Sequence, residues 1–134
     1  MPVWLAAIAA PLAFAWLLLE VGLVEEFFFR VLLQTRLARL CGSELGGILA
    51  ASTLFGLIHA PGFYLRTSTT MEALGPSPSL ATALAYSLVV TSVAGIFLGV
   101  LWARTRNLAV PVIVHAAADL IPNLLPFLKT WQLS

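Results

Sequence analysis

The segment Ser79 to Ala103, SLATALAYSLVVTSVAGIFLGVLWA, runs for 25 residues without a charged side chain. A helix rises 1.5 Å per residue, so about 20 apolar residues cross the roughly 30 Å hydrocarbon core of a bilayer. This segment is long enough to do so, and it closes on Arg104 and Arg106. Toward the C-terminus, Leu108 to Leu128 reads as a further span, with Pro111 in its first turn, where a missing N–H is harmless, and with Pro122 and Pro126 expected to bend or end it. Toward the N-terminus, Glu44 to Ala60 reads as a helix that Ser43 caps and that Pro61-Gly62 stops. Pro61 to Ser79 reads as the one real loop, broken by Gly75-Pro76-Ser77-Pro78. Pro2 to Val21 is apolar and reads as a retained helix, since it lacks the basic flank of a signal peptide. Leu23 to Leu40 follows it and carries Glu25, Glu26 and Arg30. These two stretches form either two helices parted at Gly22 or one long bent helix. The expected fold is an all-α membrane protein, a polytopic bundle of four to five transmembrane helices, with residues 1–134 as one membrane-embedded domain.

Composition supports this reading. Hydrophobic residues make up 60% of the 134 and charged residues 10%, against about 25% charged in soluble domains. Net charge is +1, so the chain has no nucleic-acid footprint. A single cysteine, Cys41, excludes an internal disulfide and a cysteine-rich metal site. Gly95 with Gly99, and Gly47 with Ala51, have the small-xxx-small spacing that lets helix backbones approach in lipid. Arg36, Arg39, Arg104 and Arg106 fall on one side of the membrane, and Arg66 and Lys129 on the other. The positive-inside rule places the first group in the cytoplasm.

Arg36, Arg39, Glu44, Arg66, Glu72, Arg104, Arg106 and Lys129 lie at helix ends or in loops. Glu20, Glu25, Glu26, Arg30, His59, His115 and Asp119 lie within or beside apolar helices. A charge at the bilayer centre costs about 2.5–3.5 kcal/mol on insertion scales. Such residues must pair, face a wet cavity or change protonation state, and they are functional candidates by default. At about 100° per residue, Glu26 and Arg30 share a helix face and are expected to pair, while Glu25 points roughly 140° away from Arg30. Phe55 with His59, and His115 with Asp119, also share faces. Two chemistries fit this set. Glu25 serves as general base toward water held by His59, with His115 and Asp119 stabilising an oxyanion. Alternatively Glu25, His59, His115 and Asp119 ligate a divalent metal such as Zn²⁺, which activates the water.

Three stretches carry a family resemblance. Glu25-Glu26-Phe27-Phe28-Phe29-Arg30 resembles the EExxxR motif of the CPBP family (CAAX proteases and bacteriocin-processing enzymes, also called Abi). Phe55-Gly56-Leu57-Ile58-His59 resembles its FxxxH motif, and His115-Ala116-Ala117-Ala118-Asp119 its HxxxN or HxxxD motif. The motif core spans residues 25–119. The resemblance implies an intramembrane endopeptidase acting on a membrane-associated protein or peptide, with Glu25 and His59 activating water and His115 and Asp119 forming the oxyanion site. It leaves glutamate and metalloprotease chemistries both open, and it gives Glu26 and Arg30 supporting places. Val31 stands where the family often has Gly, and Asp119 where many members have Asn. An ionised Asp repels an oxyanion, so Asp119 is expected to be protonated, to orient His115 or to bind metal. The chain is short for the family, which suggests a minimal member, a fragment or a chain relying on another membrane subunit or an oligomer. Expected partners are the lipid bilayer and a protein or peptide substrate, and the expected location is the cell membrane if the source is prokaryotic. The alternative functions are a non-catalytic bacteriocin-immunity or partner-binding protein on the same scaffold and, ranked last, a small proton- or ion-coupled carrier.

Overall fold

The structure, a computed structural model, describes residues 3–65, 74 and 77–130. Arg66, Glu72 and the Gly75-Pro76 part of the expected breaker lie outside the described residues. Among the described residues every regular element is helical and there is no strand. Four helices are long and apolar enough to cross a membrane: α1 (Ala7–Cys41), α2 (Glu44–Leu65), α3 (Leu80–Thr105) and α4, whose spanning part is Ala109–Lys129. Large apolar side chains stand exposed along all four, up to 84% for Ile121. Contiguous apolar surface on that scale is foreign to soluble monomers and suits a lipid solvent.

α1 is one continuous helix and is not broken at Gly22. It changes geometry instead, with π-helical stretches at Leu18–Leu23 and Phe27–Gln34 on either side of Val24–Glu26. α3 has a third such stretch at Ser87–Thr91. In a π turn the carbonyl bonds to the fifth residue on rather than the fourth. Two of the stretches have a hydroxyl at that separation: Thr35 Oγ1 donates to the Arg30 carbonyl at 3.2 Å and Ser92 Oγ to that of Ser87 at 3.3 Å. The increment of about 100° per residue that underlies the expected facing of Glu25, Glu26 and Arg30 therefore does not hold over Phe27–Gln34.

The helix ends follow local chemistry. Gly42 takes a left-handed φ of 66° after α1. Ser43 N then bonds back to Ala38 O at 3.1 Å and Gly42 N to Arg39 O at 3.4 Å, the pairing of a Schellman cap. Ser43 Oγ accepts from Gly46 N at 3.0 Å and starts α2, a cap worth about 1 kcal/mol. Ser79 does the same for α3, accepting from Thr82 N at 3.1 Å. One expectation about proline fails, and another loses one of its two alternatives. α2 does not stop at Pro61-Gly62 but continues to Leu65, because Pro61 removes only its own N–H and the amides after it still reach back one turn. α4 likewise passes Pro122 and Pro126 and reaches Thr130.

The chain divides into two compact units, Met1–Phe27 with Asn107–Ser134, and Phe28–Arg106. In the first, the N-terminal part of α1 packs on α4 through small residues. Ala9, Ala13 and Ala116 are fully or almost fully buried. A Cβ on Gly22 would lie 2.9 Å from the Val112 carbonyl oxygen, so the two backbones touch there. In the second, the rest of α1 packs with α2 and α3, again through glycines. Gly47 sits against Ala38, Gly95 against Ser52 and Phe55, and Gly99 against Gln34 and Ile48. The small-xxx-small spacings read from the sequence thus mark real helix contacts.

Candidate active site

Close backbones at Gly22 and Val112 put the next turns of α1 and α4 within side-chain reach. Glu26 and His115 are both buried, and His115 Nδ1 lies 2.9 Å from Glu26 Oε1. A carboxylate only accepts, so Nδ1–H donates, and the imidazole is locked in orientation with Nε2 pointing away. Two further carboxylates face that nitrogen: Asp119 Oδ2 at 3.5 Å, one turn on along α4, and Glu25 Oε2 at 3.9 Å. Glu25 and Asp119 are 28% and 33% exposed, whereas Glu26 is fully buried. Glu26 therefore grips the ring from the closed side, and the other two meet it on the accessible side. Asn123 Nδ2 donates to the Asp119 carbonyl at 2.9 Å and braces the backbone at that position.

Arg30 and His59 belong to the other unit. Arg30 is buried, and its guanidinium carbon lies 5.2 Å from the ring centroid of Phe55, a cation–π arrangement. His59 Nδ1 lies 2.7 Å from the Phe55 carbonyl. That oxygen accepts only, so Nδ1 carries the proton and Nε2 is the basic nitrogen. Phe55 and Phe63 meet the same imidazole in tilted arrangements, at centroid distances of 4.7 and 6.2 Å. Backbone and aromatic neighbours together hold His59 in one rotamer.

Of the sequence-derived candidates, the structure thus brings Glu25, Glu26, His115 and Asp119 together within one unit and fixes His59 and Arg30 within the other. Among the described residues, no group of three or more His, Cys, Asp or Glu side chains is arranged to hold a metal ion. The contact that sequence reasoning missed is Glu26 with His115. Spacing within α1 directed attention to Arg30, and no local signal marks a partner 89 positions away.

A family model described as type II CAAX prenyl endopeptidase Rce1-like matches residues 4–121. The chain belongs to this family. It is an integral membrane protein of a protease family, with the bilayer as its solvent. The matched region takes in the first three spanning helices, the fourth as far as Ile121, and all three motifs. No curated protein and no solved structure matches the chain.

Proposed function

We propose that the protein is an intramembrane endopeptidase in which Glu25 is the general base, His59 positions the water, and His115 with Asp119 stabilises the oxyanion. The observation that supports this reading best is the Glu26–His115 hydrogen bond, which presents His115 Nε2 beside both Glu25 and Asp119. Glu25 takes a proton from water as the water oxygen attacks the scissile carbonyl. The resulting oxyanion is met by Nε2–H of His115 in its imidazolium form, with Nδ1–H still held by Glu26, and the proton on Glu25 then passes to the departing amine. Asp119 reaches the oxyanion only as a neutral acid. As a carboxylate it orients His115 through Nε2. His59 takes its role from the FxxxH motif together with its fixed Nδ1–H, which leaves Nε2 to accept from water.

Among the described residues no donor cluster suited to a metal is present, and no step here is routed through one. The family description, a CAAX prenyl endopeptidase, supports a prenylated protein or peptide as the substrate to test. The test uses purified protein in proteoliposomes and matched peptides with and without the prenyl group. Cleavage should require Glu25 and His59 and should persist in protein shown by elemental analysis to be metal-free. Full turnover by Glu25→Ala would overturn the proposal. Toxin protection that survives loss of Glu25, His59 and His115 together would move the protein to the immunity reading.

A further inference from the structure

The arginines at one end of the second unit form a structure that the proposed chemistry does not use. α1 ends at Cys41, α2 begins at Glu44 and α3 ends at Thr105, and the ends of helices of spanning length reach the headgroup layer of a bilayer. Arg36, Arg39, Arg104 and Arg106 are all exposed here. A cavity of about 400 Å³ opens among them, with Thr35, Ala38, Arg39, Ser43, Glu44 and Arg106 in its wall. That volume falls in the range of small-molecule sites, roughly 300–1,000 Å³. Arg106 is held there deliberately. It takes a left-handed φ of 49°, which non-glycine residues rarely adopt. Its Nη2 reaches Glu44 Oε2 at 2.7 Å, and its guanidinium carbon lies 5.8 Å from the Trp102 ring centroid.

We infer that this cavity binds the phosphodiester headgroup of an anionic phospholipid. Its wall carries two arginines and one glutamate, leaving one net positive charge to match the single negative charge of a phosphodiester. Arg39, Ser43 and Arg106 supply the donors in this wall, and a guanidinium suits phosphate oxygens better than an ammonium does. Phospholipid is also the phosphate ester present at that depth around any spanning protein. Arg36 and Arg104 lie outside the wall and add only to the surrounding potential.

Native mass spectrometry of the full chain released from detergent tests this inference, with phosphatidylglycerol, phosphatidylcholine and inorganic phosphate as competing ligands. Phosphatidylglycerol should be retained preferentially. Arg39→Gln, which leaves the Arg106–Glu44 pair in place, should weaken retention about fivefold, the contribution of one arginine near an anionic surface. Arg39→Gln with Arg106→Gln should abolish the preference. Arg36→Gln with Arg104→Gln removes the same charge and should leave it within about twofold, since surface charges away from a contact contribute little. Equal retention of the two lipids, equal loss in both double variants, or displacement of phosphatidylglycerol by inorganic phosphate would each overturn the inference.

Discussion

Glu26 shows how much one buried carboxylate decides. It is fully buried and holds the Nδ1 side of His115, so its removal should free the ring to turn without opening the fold. Glu26→Gln keeps the shape and replaces an ionic acceptor by a neutral one. Turnover should fall by about 10²-fold, the usual penalty for slight misplacement of a catalytic group, with KM little changed and the thermal midpoint within a few degrees. An effect of the same size on KM alone would contradict a positioning role. At Asp119 the expected sign is the reverse. Asp119→Asn supplies an amide that donates at any pH, so cleavage should persist and should extend further above neutral pH than in the parent, whereas Asp119→Leu should lose most activity. A pH–rate profile of the three proteins separates these outcomes. At this scale helical spacing put His115 and Asp119 on one face, in line with their 3.5 Å approach, but gave no sign of Glu26 with His115. Which residues are costly in lipid is a local property, whereas the partner of Glu26 depends on how two helices dock.

The elements show where periodicity is a sound guide and where it fails. Gly95, Gly99 and Gly47 were legible because small residues at four-residue spacing have one purpose in lipid, and each indeed faces a neighbouring helix. Gly22 offered no such pattern, yet its hypothetical Cβ meets a backbone oxygen of α4 that cannot step aside. Gly22→Val should therefore overpack the α1–α4 contact and destabilise by about 1–3 kcal/mol. It should also depress cleavage by pushing Glu26 from His115. A melting curve and an activity assay on the same preparation check both effects, and an unchanged melting point would show that the helices part freely. The π-helical stretches were not legible, because a change from fourth- to fifth-residue bonding leaves composition and hydropathy untouched. Pro61 misled for a related reason. A proline removes one hydrogen bond, and the remaining amides of α2 are enough to carry the helix to Leu65.

For the whole molecule, the membrane assignment was readable from the first uncharged segment onward, since no arrangement of 10% charged residues covers a water-facing surface. Orientation is a further consequence of charge placement. The end that bears Arg36, Arg39, Arg104 and Arg106 should face the cytoplasm. Cys41 stands exposed at that same end, as the last residue of α1, and is the sole cysteine of the chain. A membrane-impermeant maleimide should therefore label inverted vesicles and spare right-side-out ones, and the opposite result would invert the topology. The lone thiol also makes the unmodified chain its own reporter. A spin label or fluorophore attached there sits beside the arginine-walled cavity, away from Glu25 and His115 in sequence, and gives a stoichiometry of one per molecule without any engineered site. Its signal would record headgroup occupancy and helix-end motion while the catalytic residues remain as encoded.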